Sequence, residues 1–292
     1  MACWNGPFIA VDWGTTNRRA YAVSADGLVT AGLEDSRGLL SVRPEEFASA
    51  VVDVRERLGR LPMLLAGMVG ARSGWAEVPY VTAPAGLAGL ARGVHMVADD
   101  IAIVPGVSVS GNRPGVMRGE EVQVLGAVSA GLVAPDAAVC QPGTHTKWIT
   151  MADGQIADFR TSMTGEIFAL IKNHSILAAH LRGEVAANAG FLEGVDMALS
   201  GEPVLDALFG VRSRMLLGAL DASLSSAYTS GILIGTDVAA HASRGDSVAL
   251  LGRPDLCVLY AAALERAGCV ATSTDGAAAF VAGMSAIRKL LP

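Results

Sequence analysis

The stretch that decides the fold is Ile9-Ala10-Val11-Asp12-Trp13-Gly14-Thr15-Thr16-Asn17-Arg18-Arg19-Ala20-Tyr21-Ala22-Val23. Apolar runs at 9–11 and 20–23 flank a polar turn, a pattern that predicts strand, tight loop, strand. Gly14 admits a turn that a Cβ would obstruct. Thr15, Thr16 and Asn17 offer hydroxyl, amide and backbone N–H donors to an anion. Asp12, at the strand end, is placed to hold a hydrated Mg²⁺. Taken alone, such a stretch equally describes a polar hairpin turn.

A second copy shifts the reading toward a phosphate loop. Ala138, Val139 and Cys140 form a strand, followed by Pro142-Gly143-Thr144-His145-Thr146-Lys147 and a strand over 148–151. Each copy turns at an Asp-Gly pair, Asp26-Gly27 and Asp153-Gly154, and each continues into a third strand, over 28–33 and 155–159. Five elements in matching order mark an internal duplication. Two like domains facing each other would present two donor loops to one polyphosphate, with Gly143, Thr144, His145 and Thr146 in the second and Lys147 neutralising charge.

The chain has 292 residues, room for two ordinary domains, and 51% of them are hydrophobic. A formal charge of −6 without a Lys/Arg cluster argues against nucleic acid as a partner. Apolar stretches fall well short of the ~20 residues a bilayer span requires, so no membrane is expected. The start, Met-Ala-Cys-Trp-Asn-Gly-Pro, has neither the basic nor the apolar region of a signal peptide. Cys3, Cys140, Cys257 and Cys269 are scattered, with no C-x-x-C, and read as buried thiols of a reduced, cytoplasmic protein. The five histidines lack a zinc spacing. There is no G-x-x-x-x-G-K-[ST] and no G-x-G-x-x-G, which argues against a P-loop enzyme and a dinucleotide fold.

Between the copies, Pro44-Glu45-Glu46 opens a helix with one apolar face, and 62–68 reads as a buried strand. That strand runs into Gly67-Met68-Val69-Gly70-Ala71-Arg72-Ser73-Gly74-Trp75, read either as a binding loop or as a plain surface loop. In the binding reading Arg72 holds a substrate carboxylate and Trp75 packs on a sugar-like chain. A helix over 122–132 leads to the second copy. Glu120 and Glu121 precede it, as helix-capping acids or as chemistry-bearing ones. Beyond the second copy, helices are expected over 167–181, 185–199, 204–217 and 222–242, with Thr164 or Ser162 as an N-cap. Gly231 and Gly235 inside the last of these imply close approach of a backbone or a ligand. A strand over 248–251 ends at Gly252, and helix, strand and helix complete an α/β chain.

These residues resemble a known family. Asp12-Trp13-Gly14-Thr15-Thr16-Asn17, Gly67-Met68-Val69-Gly70, Val116-Met117-Arg118-Gly119-Glu120-Glu121, Pro142-Gly143-Thr144-His145-Thr146-Lys147-Trp148, Asp158-Phe159-Arg160-Thr161, Met163-Thr164-Gly165-Glu166 and Asn173-His174-Ser175 are similar to the motifs of the 2-dehydro-3-deoxygalactonokinases. That family belongs to the actin-like ATPase, sugar kinase and Hsp70 superfamily. The resemblance implies two duplicated ribonuclease-H-like domains facing an interdomain cleft. Residues 1–128 would bind the sugar acid, with the terminal helix over 277–292 packing back on them, and residues 129–292 would bind the nucleotide. The implied activity is ATP-dependent, Mg²⁺-assisted phosphorylation of 2-dehydro-3-deoxy-D-galactonate at its 6-hydroxyl in galactonate catabolism. A homodimer is a further expectation. Related kinases place an acid at the start of the helix before the second loop, here Glu121 or, as the alternative, Glu120. Asp275 stands next should both fail. Gly231, Gly235 and Gly252 join the expected nucleotide contacts. Arg72, or Arg160 in its place, would bind the substrate carboxylate, and Thr164 and Glu166 its hydroxyls. The competing readings are a polyphosphate or nucleotide phosphatase of the same superfamily and a non-catalytic actin-like sugar sensor.

Overall fold

A computed structural model describes residues 4–291. Cys3 lies outside them. The chain opens with β1 (Phe8–Trp13), β2 (Arg18–Val23) and β3 (Val29–Asp35), then α1 (Phe47–Leu58) and β4 (Met63–Gly67). Next come β5 (Val81–Thr82), α2 (Leu87–Arg92), β6 (His95–Ala98), β7 (Ile101–Ile103), β8 (Val107–Val109), β9 (Gly115–Met117) and α3 (Glu120–Ser129). Strands β10 (Ala138–Gln141), β11 (Thr146–Ala152) and β12 (Gln155–Ser162) come next. They are followed by α4 (Thr164–His174), α5 (Ala189–Leu199), α6 (Val204–Leu216), α7 (Ser225–His241), β13 (Ser247–Gly252), α8 (Pro254–Arg266), β14 (Val270–Asp275) and α9 (Gly276–Lys289).

Three sheets form, with strand orders β3-β2-β1-β4-β7-β6, β12-β11-β10-β13-β14 and β5-β8-β9. β1 pairs antiparallel with β2 and parallel with β4, and β10 pairs parallel with β13. The chain divides into two compact units. One runs up to Asp136 and takes in Thr150–Phe159 and the stretch from Asp275 onward; the other is Ala137–Ile149 with Arg160–Thr274.

In the first unit, every residue of β4 is buried, as a continuous apolar run in a parallel pair requires. Ile9, Val11, Trp13, Met63, Leu65 and the α1 residues Phe47, Ala50, Val51 and Val54 share one core. α9 crosses α3 at backbone distance: a Cβ on Gly126 would lie 2.0 Å from the Ala279 carbonyl oxygen, and one on Gly283 2.2 Å from that of Val122. In the second unit, α5, α7 and α8 pack with Cys140, Trp148, Val248 and Leu250. Cys140, Cys257 and Cys269 are buried free thiols, and burial pushes the Cys257 thiol up to about 11.

Element types follow the sequence expectation with shifted ends. Helix α3 begins at Glu120 rather than Val122, so both acids lie inside its first turn. The helix expected over 167–181 begins at Thr164 and ends at His174. Neither Thr164 nor Ser162 caps it; Met163 holds the cap position with no side-chain bond. Asp275 is an N-cap, accepting from the N–H groups of Ala277 and Ala278.

Candidate active site

In the first unit, β1 and β2 meet at a hairpin in which Trp13 opposes Arg18 and Asp12 opposes Arg19. The loop between them is closed by a bond from the Gly14 N–H to the Asn17 carbonyl, 2.9 Å. It is braced from outside: Gly38 donates to Thr16 O, Leu39 to Gly14 O and Leu40 to Thr15 O. A Cβ on Gly38 would sit 2.3 Å from the Thr16 carbonyl carbon, so only glycine fits. The loop is thus fixed while Thr15, Thr16 and Asn17 stay exposed. Arg18 faces the other way. It is fully buried, its guanidinium bonded to Asp35, Asp53 and the Ala50 carbonyl, and it ties the hairpin to α1.

Asp12 stands at the carboxyl end of β1, where open α/β sheets place ligands. Its side chain is 18% exposed, with Arg19 Nη1 3.9 Å away and Glu34 beyond Arg19 on β3. Burial pushes its carboxyl up to about 6; Arg19 opposes that rise, and Glu120 and Glu34 add to it. Two glycines bring the neighbouring strand and α3 close. Gly67 (φ +91°) ends β4, where a Cβ would lie 2.7 Å from the Trp13 carbonyl oxygen. Gly119 (φ +103°) precedes α3, where a Cβ would lie 3.3 Å from Gly67 Cα and 3.8 Å from Asp12 Oδ1.

The first turn of α3 therefore brings Glu120 close enough to act on Asp12. Each bends back to a backbone donor: the Arg118 N–H reaches Glu120 Oε2 at 3.0 Å and the Gly119 N–H reaches Glu121 Oε1 at 2.9 Å. Periodicity does not separate these two residues, but burial does. Glu120 is half-buried, whereas Glu121 is fully buried and its Oε2 has no hydrogen-bond partner among the described residues. Burial, then the Glu120 charge, push the Glu121 carboxyl up to about 8, against the Gly119 N–H and Arg118. A carboxyl with that proton affinity and a free oxygen suits general acid–base work near neutral pH. Arg118 is held by its bond to the Val78 carbonyl and by the Tyr80 ring, 4.1 Å from its guanidinium carbon.

Arg72 is exposed in the turn after Gly70. Trp75 is half-buried and stacks on Phe47 at 6.1 Å and 7°. One of its faces thus serves the core instead of a sugar chain.

In the second unit, Gly143, Thr144 and His145 lie on the start of α4. A Cβ on Gly165 would meet the Gly143 carbonyl oxygen at 2.5 Å, and the Glu166 N–H donates to Thr144 O at 3.0 Å. His145 Nε2 and Glu166 Oε2 are 2.5 Å apart, both partly exposed. Gly252 (φ +145°) closes on the same loop, its Cβ position 3.4 Å from the Pro142 carbonyl oxygen. Arg160 lies on β12.

Five of the expected contact residues have partners inside the fold. Thr146 belongs to β11 and is fully buried, its hydroxyl 2.9 Å from that of Tyr260. Lys147 is 4% exposed, with Nζ donating to the His145 carbonyl at 3.1 Å. Thr164 donates its hydroxyl to Asp237 Oδ2 at 2.8 Å, which leaves no proton there for a sugar. Gly231 and Gly235 let α7 touch α5: their Cβ positions lie 2.1 Å from the Phe191 carbonyl oxygen and 2.9 Å from Ala198 Cβ. Of the two reasons the sequence left open for these glycines, the approaching backbone is the one in place.

Sequence reasoning missed the Gly38 brace and the approach of Gly67 and Gly119. Gly67 and Gly119 were visible beside the motifs, but their use depends on strands that meet only in the fold.

The sequence model of the 2-keto-3-deoxy-galactonokinase family matches residues 12–287, from Asp12 into α9. This chain belongs to the 2-keto-3-deoxy-galactonokinase family. It is 35% identical over 286 residues to the 2-dehydro-3-deoxygalactonokinase of Escherichia coli (strain K12), covering 96% of this chain and 97% of that protein. A crystal structure from Sinorhizobium meliloti described as a 2-dehydro-3-deoxygalactonokinase superposes with a TM-score of 0.89 at 36% identity, over 96% of this chain and 97% of that one. The fold extends beyond the family. The activator of the 2-hydroxyisocaproyl-CoA dehydratase from Clostridium difficile, solved with bound ADPNP, gives a TM-score of 0.52 at 12% identity, over 97% of this chain and 95% of that one. Component A of the (R)-2-hydroxyglutaryl-CoA dehydratase from Acidaminococcus fermentans, with a TM-score of 0.51 at 13% identity, shares the same mixed α/β fold.

Proposed function

We propose that this chain is an ATP-dependent kinase that phosphorylates 2-dehydro-3-deoxy-D-galactonate at its 6-hydroxyl in galactonate catabolism. The observation that carries this is the family match over residues 12–287, which takes in both Gly-Thr loops and the Arg118-Gly119-Glu120-Glu121 turn. In this reading the two halves of the chain are duplicated domains, the first binding the sugar acid and the second the nucleotide.

Loops 14–17 and 143–145 are the phosphate-binding loops, with backbone N–H groups and hydroxyls as donors. Asp12 fits a hydrated Mg²⁺. Its carboxylate still meets solvent and sits among negative neighbours that a cation would relieve. Among the described residues no three His, Cys, Asp or Glu side chains gather around one point, which suits an ion that keeps most of its water. Bound there, Mg²⁺ would neutralise phosphate charge.

Glu121 is the base. In its ionised form its Oε2, without a hydrogen-bond partner among the described residues, accepts the proton of the attacking hydroxyl, and Glu120 keeps the turn closed through the Arg118 N–H. Phosphoryl transfer needs the nucleophile aimed more than activated, and a fixed carboxylate does both. Arg72 pairs with the substrate carboxylate, for which an exposed guanidinium fork is suited.

ATP consumption against a panel of 2-keto-3-deoxy sugar acids, with a water-only control, tests this reading. Consumption with the galacto compound and a 6-phosphate product is expected. Phosphate release in water alone would instead favour a phosphatase, and no consumption with any acid would overturn the assignment.

A further inference from the structure

The carboxylate of Asp237, on α7, is 6% exposed and gathers donors from three other elements. Trp148 Nε1 of β11 donates to Oδ1 at 2.9 Å. Tyr260 of α8 donates its hydroxyl to Oδ2 at 2.6 Å, and Thr164 of α4 donates to the same oxygen at 2.8 Å. A phenol has one proton, and that of Tyr260 points to Asp237, so at the 2.9 Å contact the Thr146 hydroxyl donates to the Tyr260 oxygen. A directed chain results, from Thr146 through Tyr260 to Asp237, with Thr164 donating to the same carboxylate oxygen as Tyr260. His241 stands 3.7 Å from Oδ1 and stacks on Trp148 at 5.1 Å.

Thr146 ends the second Gly-Thr loop and Thr164 begins α4. These are the two pieces pressed together by Gly165 against Gly143, by the Glu166 N–H on Thr144 and by the His145–Glu166 pair. Both hang on one carboxylate more than 70 residues further along the chain. Fixing the donors before the ligand arrives lowers the ordering cost of binding.

We propose that Asp237 is a positioning residue for nucleotide binding: through Tyr260 and directly through Thr164 it locks the second loop and the first turn of α4 into one preorganised phosphate-binding surface. This rests on the nucleotide reading of that loop, and wild-type binding of Mg-ATP checks that reading separately.

The test measures the dissociation constant of Mg-ATP by calorimetry, the KM of each substrate and the melting temperature. It uses wild type, Thr164→Val, Thr164→Ser, Tyr260→Phe and Asp237→Asn. Thr164→Val and Tyr260→Phe should each weaken Mg-ATP binding about three- to tenfold, the size of one hydrogen bond. Asp237→Asn should weaken it further, and Thr164→Ser should bind as wild type does. The KM of the sugar acid should stay within about twofold throughout. Folded Thr164→Val and Tyr260→Phe variants that bind Mg-ATP as tightly as wild type would overturn the proposal. So would equal losses for both substrates, or a Thr164→Ser variant as weak as Thr164→Val. Wild type that binds no Mg-ATP would refute the nucleotide reading itself and take the proposal with it.

Discussion

The loops at 14–17 and 143–147 look alike in sequence and are used differently. In the first, the hydroxyls stay outside: Thr15, Thr16 and Asn17 are exposed, and the loop is held by backbone bonds from Gly38, Leu39 and Leu40. In the second, the polar side chains past His145 turn inward. Thr146 and Lys147 are buried in β11, and the Thr146 hydroxyl meets Tyr260. The first loop is rigid by its backbone and the second by its side chains. Polarity alone does not assign a residue to the surface, since a buried hydroxyl is stable wherever the fold supplies a partner.

The acids differ in the same way, and replacing them sharpens the comparison most. Glu121→Gln should lower turnover by roughly 10²–10⁴-fold with Mg-ATP binding preserved, the loss typical of a removed general base. Glu120→Gln should lose far less, because its carboxylate bonds the Arg118 N–H and an amide oxygen can do so too. The reverse order would move the base to Glu120, and full turnover in both would remove it from α3.

Asp12→Asn comes next. A strong drop in turnover is expected without loss of folding, since the side chain lies at a strand end outside the core. Wild-type-like turnover would break the reading of the first loop as the cation-bearing one. For Arg72→Met, the KM of the sugar acid should rise about tenfold while that of ATP holds; an equal rise in both points to a folding defect instead.

The smallest effects contrast the loops themselves. Thr146→Val should cost about 1–2 kcal/mol of stability by removing a buried donor, whereas Thr15→Val should stay within about 0.5 kcal/mol. Thr15→Val should all the same weaken ATP binding several-fold. Chemical denaturation of the pair, run beside ATP titration, reads both quantities.

Much of this was legible because hydrophobic period and glycine placement are local. The three strands of each copy, the Asp-Gly turns and the helices from α5 to α9 follow from residues within a few positions of one another. What was not legible depends on distant partners. Thr146 and Thr164 read as ligand contacts because Tyr260 and Asp237, which take their hydroxyls, lie far along the chain. Gly231 and Gly235 read equally as ligand or backbone contacts until α5 was seen against them. Helix α2, six residues long, and strands β8 and β9, three residues each, went unread because they are too short for a periodic signal. Glu120 and Glu121 were found by motif, but only burial tells them apart.

That difference in burial is the centre of the account, and the pH dependence of stability measures it directly. A carboxyl held at about 8 in the fold but near 4.5 when unfolded binds its proton more tightly in the native state. Its contribution is therefore fully present below the unfolded value and is lost as pH rises through about 8. Asp12, raised to about 6, acts in the same sense at lower pH. The lowered His241 acts in the opposite sense near its unfolded value of 6.5. Between about 6.5 and 8 the change is that of Glu121, below the range where the raised Cys257 and Cys269 thiols add a loss of the same sense. Unfolding free energy should be measured across that window for wild type and Glu121→Gln. The wild type should lose stability relative to the variant as pH rises, by an amount on the order of a few kcal/mol. Parallel curves would contradict a buried, proton-holding Glu121, and the role assigned to it would fall with them.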